Sequence, residues 1–261
     1  MTGLTQAVLG PDRFALVRAE AERQPDPLVF ATVSGAHLYG FPSADSDIDL
    51  RGVHVLPARG VLGLAGGEAT REVEKVDHGI EFDLVTHDAE KFFRLLLKPN
   101  GYVLEQVLSP LVVFTTPEHE RLCDLARQCI TRRHAHHYLG FARNQWALFQ
   151  KETPPRVKPL LYLYRVLLTG LRLMEAGEVE ANLVRLAEHY RLPFLPDLVA
   201  RKLEGSERER LSDADLAFHR EQARRLTARL EAARDASTLP DLPSAREGLS
   251  DLLVELRLAT L

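Results

Sequence analysis

The sequence has little sulfur, almost no tryptophan and no long apolar run. Its 261 residues include two cysteines, two methionines and one tryptophan. Cys123 and Cys129 stand six apart on a predicted helix, on different faces, which suits neither a disulfide framework nor a thiolate metal site. Both are expected to be packing residues. No apolar stretch approaches the roughly 18 residues that suggest a membrane span, so no membrane passage is expected. The opening stretch, MTGLTQAVLGPDR, lacks the basic segment, apolar core and small-residue cleavage site of a secretory signal, and the expected location is the cytoplasm. No internal repeat is present. The rest of the composition, 45% hydrophobic and 27% charged, is that of a globular protein, and the length favours two modest domains over one large core.

The net charge of -4 is unevenly spread. Residues 1 to 130 carry -7 and residues 131 to 261 carry +3. From Thr131 to Arg165 the cations Arg132, Arg133, Arg143, Lys151, Arg156, Lys158 and Arg165 face a single acid, Glu152. An acidic first half and a basic segment suit an enzyme that joins a metal ion to polyphosphate, since metals need carboxylates and phosphate oxygens need Lys or Arg. A solvated basic helix is the plain alternative.

Periodicity divides the chain in the same way. Residues 11 to 24 read as a helix with Pro11 in its first turn. LVFATVSG (28 to 35), DIDLRGVHVLP (47 to 57) and GIEFDLVTH (79 to 87) read as strands, and PLVVF (110 to 114) as an edge strand because of its proline. DAEKFFRLLLKPN and GYVLEQVLSP are helices, the first capped by Asp88. Helical spacing then continues over 117 to 150, 158 to 176, 179 to 191, about 195 to 204 and 212 to 235, with a last helix from Arg246. The expected architecture is α+β: a mixed sheet with flanking helices in residues 1–115 and an α-helical domain in 116–261.

The chemistry concentrates in VSGAHLYGFPSADSDIDLRGV, residues 33 to 53. Gly35 permits a close turn at which backbone N–H groups and the Ser34 hydroxyl can approach phosphates. Beyond it, strand alternation sends Asp47 and Asp49 to one face while Ile48 and Leu50 anchor the other. Adjacent carboxylates repel unless a cation or proton intervenes, so the pair argues for hard cations. A third carboxylate is expected from IEFDLVT, with Asp83 preferred for its apolar neighbours and Glu81 as a contender. Two-metal transfer would then activate an acceptor hydroxyl for in-line attack at the α-phosphorus and stabilise the departing pyrophosphate. Ser46 and Arg51 are candidate nucleotide contacts, Arg51 alternatively neutralising the carboxylates. Lys158 and Arg165, seven apart, could hold phosphates from one helix face, or be ordinary surface charge. Trp146 and Phe149 read as helix packing ahead of base stacking.

An apolar residue, Ser-Gly, a spacer, Asp-x-Asp and a third acid together resemble the polymerase-beta nucleotidyltransferase superfamily. More narrowly, that run with EKFFRLLLKPNGYVLEQVLSP, YLGFARNQ and KPLLYLYRVLLTGLRLMEAGEV resembles the bacterial RNA repair pathway polymerase-beta family, over about residues 30 to 185. The resemblance implies a minimal nucleotidyltransferase sheet with a helical domain, an NTP substrate such as ATP, Mg2+ or Mn2+, and an association with RNA ends. It departs from the usual Asn-Pro at Pro99-Asn100-Gly101. A protein-modifying transferase and a non-catalytic nucleotide sensor or antitoxin-like partner would use the same fold.

Overall fold

The computed structural model describes residues 2–64, 66–77, 79–151, 156–204 and 213–260. Glu152 and Ser212 lie outside the described residues. In chain order the elements are α1 (Gly3–Leu9), α2 (Pro11–Glu22), β1 (Leu28–Val33), α3 (Gly35–Tyr39), β2 (Ile48–His54), α4 (Ala58–Leu62), β3 (Thr70–Asp77), β4 (Ile80–Asp88), α5 (Ala89–Leu96), α6 (Gly101–Val107), β5 (Val112–Thr115) and α7 (Pro117–Arg127). Then follow α8 (His134–Lys151), α9 (Val157–Ala176), α10 (Leu183–His189), α11 (Phe194–Leu203), α12 (Asp213–Ala236) and α13 (Arg246–Leu258).

The five strands form one mixed sheet in the order β3-β4-β2-β1-β5. β2 and β4 run parallel, and the other neighbours are antiparallel. β1 is buried along its whole length, as its largely apolar sequence requires of a strand covered on both faces, and its one polar side chain, Thr32, donates to Gln106 C=O at 2.8 Å. Phe30 packs edge-on against Phe92 of α5, with centroids 5.6 Å apart, and His119 of α7 stacks on it at 4.5 Å. α5 buries Ala89, Phe92, Phe93 and Leu96, the spacing of a single helix face. Each large side chain among these contributes about 1.5–3 kcal/mol through burial. Asn100 caps α6 by accepting a 3.1 Å bond from Tyr102 N–H, so the departure at Pro99-Asn100-Gly101 still gives a capped helix.

Contacts divide the chain into two units that interleave in sequence. One comprises Met1–Leu38, Ser46–Ile130 and Leu242–Leu261; the other comprises Tyr39–Asp45 and Thr131–Asp241. This differs from a division at 115/116. α7 follows the sheet because it packs on β1 and α6, and α13 returns to pack on α5 and α7. In the helical unit α9 is the central rod, touched by α8, α10, α11 and α12 and buried on most sides.

Three further features depart from the sequence reading. β3, TREVEKVD, carries charges on both faces because it is an edge strand, where charge blocks pairing with other chains. The helix expected over 117 to 150 is two helices. It breaks where the Thr131 N–H and hydroxyl meet His134 Nδ1, at 3.2 and 3.1 Å, to start α8. α1 and α4 are short helices that periodicity did not single out. Among the described residues no helix is long and apolar enough to cross a membrane.

Candidate active site

β1 ends at Val33, and the chain turns at Ser34-Gly35 into α3. Ser34 is buried, and its N–H donates to Asp49 C=O at 2.8 Å, tying the turn to β2. Gly35 has φ +58°, and a Cβ there would lie 1.8 Å from Asp49 Oδ2. No other residue satisfies both constraints, so the glycine makes room for the carboxylate as well as for the turn.

β2 starts at Ile48, leaving Asp47 exposed just ahead of the strand and Ser46 half-buried before it. Ile48 and Leu50 are fully buried beneath the sheet, which aims Asp49 and Arg51 to the opposite face. The parallel register sets Asp49 directly beside Asp83 of β4, the expected third acid. Glu81, the contender, is exposed near the start of β4 and pairs with Val76. On the far side of Asp83 the antiparallel register places Glu74 of β3, an exposed acid that the sequence reading did not name. Asp49, Asp83 and Glu74 thus form a row across three strands.

Arg51 joins the first two. Its Nη2 donates to Asp49 Oδ1 at 2.8 Å and to Asp83 Oδ2 at 2.9 Å. Its Nη1 donates to the carbonyls of Leu50 and Asp83 at 2.7 and 2.9 Å, and its Nε to Tyr102 Oη at 2.9 Å. Of its two expected roles, the one visible is neutralising the carboxylates. Burial raises the Asp49 pKa above the ordinary range. Arg51 opposes this, and the like charges of Asp47 and Asp83 reinforce it. Among the described residues no three or more His, Cys, Asp or Glu side chains converge as a ready cation cage. The expected three-acid set is held as two plus one, because Arg51 stands between Asp49 and Asp83 and Asp47 remains at the exposed entrance. The donors still fit a hard divalent ion: they are carboxylate oxygens, open to solvent, with one guanidinium against two to three negative charges.

Lys158 and Arg165 belong to the helical unit, where their surroundings differ. Lys158 is exposed in the first turn of α9. Arg165 is buried, with its guanidinium 4.0 Å over the Tyr39 ring. Residues 39–45, which lie between the Gly35 turn and Asp47, form a strap within this unit. Tyr162 packs edge-on to Tyr39 and Phe41, with centroids 5.7 and 5.8 Å away. Gly40, at φ +84°, would place a Cβ 2.6 Å from the Asn182 side chain. Lys202 of α11 is buried and donates to Phe41 C=O at 2.8 Å and to Ser43 Oγ at 3.2 Å. Lys202 was missed because nothing local distinguishes it from the other charges of an amphipathic helix; only its burial does. In the basic segment, Arg132 is bonded to Asp241 at 2.5 and 2.8 Å.

Residues 12–255 match the RNA repair pathway DNA polymerase beta family. The chain belongs to that family. Among similar relatives, the uncharacterized protein MJ0002 of Methanocaldococcus jannaschii is 34% identical over 156 residues, 59% of this chain and 63% of its own. The uncharacterized protein YcgL of Bacillus subtilis is 30% identical over 146 residues, 54% of each. The chain thus spans less than two thirds of the curated relatives it matches. A nucleotidyltransferase-like protein from Exiguobacterium sibiricum superposes over 99% of this chain and 78% of its own, with TM-score 0.32 and 15% identity. That likeness is too remote to inform the site. The family match encloses Ser34, Gly35, Asp47, Asp49, Asp83, Lys158 and Arg165 alike.

Proposed function

We propose that this family member is a metal-dependent nucleotidyltransferase of the cytoplasm, which transfers NMP from an NTP, with ATP the first candidate, to a hydroxyl acceptor, with an RNA end the first candidate. The observation that carries the reading is the pairing of Asp49 with Asp83 across parallel strands, against a glycine whose missing Cβ makes the space for Asp49. Asp47, Asp49 and Asp83 would hold Mg2+ or Mn2+, which supplies charge neutralisation of the triphosphate and a lowered pKa for the attacking hydroxyl. The acceptor oxygen bonds to the α-phosphorus, the bond from that phosphorus to pyrophosphate breaks, and the hydroxyl proton passes to a carboxylate or to water. Arg51 keeps Asp49 and Asp83 in register when no ion is bound, which lowers the cost of holding like charges together.

The same guanidinium favours a second reading, a non-catalytic nucleotide sensor in which Arg51 permanently occupies the carboxylates. Incubating the protein with each α-labelled NTP, Mg2+ or Mn2+, and RNA, tRNA and protein acceptors separates the two. Label transferred by the parent and lost in Asp47→Ala and Asp49→Ala supports the enzyme. NTP binding with no transfer to any acceptor supports the sensor, and transfer to protein alone supports a protein-modifying enzyme.

A further inference from the structure

The helical unit contains a cleft of about 440 Å3 between α8, α9 and α12 that the candidate active site does not use. Its floor is apolar and buried, made of Leu139 and Ala142 of α8, Leu163 of α9 and Ala223 of α12, with the exposed Ala228 at its edge. One wall is Trp146, the only tryptophan in the chain, half-buried and leaning on Phe149 with ring centroids 5.4 Å apart and planes 33° apart. The rim carries three guanidiniums, Arg143, Arg220 and Arg224, all exposed, against one lining acid, Glu231. Arg224 is held by Glu221, whose carboxylate accepts from its Nε and Nη2 at 2.9 and 2.6 Å, so the guanidiniums offered to an anion are those of Arg143 and Arg220. The spacing explains the construction. Leu139, Ala142, Arg143 and Trp146 share one face of α8, and Arg220, Ala223, Arg224, Thr227 and Glu231 one face of α12.

This lining is not that of a core gap. A gap in a helical bundle would be closed by aliphatic side chains, whereas here alanines leave a shallow slot beside an indole plane. A planar ring stacks on indole and on guanidinium faces, and guanidinium forks bind phosphate oxygens in bidentate fashion. The volume lies within the roughly 300–1,000 Å3 of small-ligand clefts. We propose that this cleft seats one unstacked base of a single-stranded RNA, stacked along Trp146, with the flanking phosphates on Arg143 and Arg220. The choice of RNA rests on the proposed function; the seat for a base and its phosphates does not.

The single tryptophan makes the test direct, because its emission reports on this cleft alone. Tryptophan fluorescence would be titrated with single-stranded oligo-A and oligo-U RNA, ATP, base-free polyphosphate and polyglutamate, on the parent, Asp49→Asn, Arg220→Ala and Arg143→Ala. Single-stranded RNA is expected to quench saturably, equally in the parent and Asp49→Asn, with affinity falling about tenfold or more in the arginine variants. Labelled-RNA anisotropy extends the test to Trp146. Trp146→Phe should stay close to the parent, and Trp146→Ala should lose about tenfold. Melting curves confirm that the variants fold. Absence of saturable quenching by RNA overturns the proposal. So does equal quenching by polyphosphate or polyglutamate, or by ATP alone, which would assign the cleft to bare charge or to a mononucleotide. Quenching by RNA in a protein that transfers no label leaves this proposal standing and removes the catalytic one.

Discussion

The two ends of the parallel β2–β4 pair carry the same chemical pairing to opposite effect. At the start of the strands Arg51 meets Asp49 and Asp83; at the finish Arg257 of α13 meets Asp88. Arg257 donates Nη2 to Asp88 Oδ1 at 2.6 Å and Nη1 to Oδ2 at 2.8 Å, and Asp88 also accepts from Leu56 N–H and Glu90 N–H at 3.1 and 3.0 Å. Burial alone would raise the Asp88 pKa, but those hydrogen bonds and the Arg257 charge outweigh it and leave it lowered. Asp49 is raised by burial, which one guanidinium shared with Asp83 does not offset. One carboxylate has every lone pair answered and belongs to the framework. The other is left wanting positive charge, which is the condition of a group kept for a ligand.

The comparison breaks most visibly at Asp49. Asp49→Asn is expected to reduce nucleotidyl transfer by about a thousandfold, the scale of several kcal/mol of lost charge stabilisation, without lowering the melting temperature. A melting temperature that falls by many degrees would make Asp49 structural and end the contrast. At the other end the expectation reverses. Arg257→Met should cost about 3–5 kcal/mol in urea unfolding, since it leaves a buried carboxylate without its partner, and Arg257→Met with Asp88→Asn should cost less than the two singly combined.

Arg51→Met should cost less, about 1–3 kcal/mol, because its carboxylate partners are only half-buried. Millimolar Mg2+ should raise the melting temperature of this variant more than that of the parent, as the ion takes over the guanidinium's charge. An equal response in both would mean that Asp49 and Asp83 do not receive a cation. A further expected effect is on pH dependence. His134, buried in the helical unit, has its pKa lowered to about 4 by burial, with a minor opposing bond to the Thr131 backbone. It binds its proton more readily unfolded, so its contribution is complete above about pH 6.5 and is lost as pH falls from there toward 4. The lowered Asp88 contributes above its unfolded value of 3.8, and that contribution is lost as pH falls through its folded pKa. His134→Gln should therefore flatten the stability curve between pH 6.5 and 4, and Asp88→Asn below 4.

Much of the Asp49 end was legible in the sequence, and little of the Asp88 end. Ile48-Asp49-Leu50 and Phe82-Asp83-Leu84 each announce a carboxylate on a buried strand, because alternation is a local property. The parallel register that joins them is not local, and neither is the position of Glu74 on a strand with no apolar face to reveal it. Asp88 was read as a helix cap, which it is; its bond to Arg257 spans 169 residues and leaves no mark in either neighbourhood. Arg165 shows the converse case. Its seven-residue spacing from Lys158 suggested a shared face, and α9 is buried on too many sides for that spacing to mean exposure.

The strap of residues 39–45 also bears on how such a chain can change through recombination. The helical unit draws on two stretches, 39–45 and 131–241, so no single cut releases it. A gene exchange with one breakpoint near residue 130 would bring in new helices while retaining the old strap. The recipient's Phe41 carbonyl would then need a donor where Lys202 stood, and its Gly40 a neighbour shaped like Asn182. Residues immediately before Asp47 would be the first to feel the mismatch. The strap and the helices it packs on are therefore constrained together, although more than a hundred residues separate them in sequence.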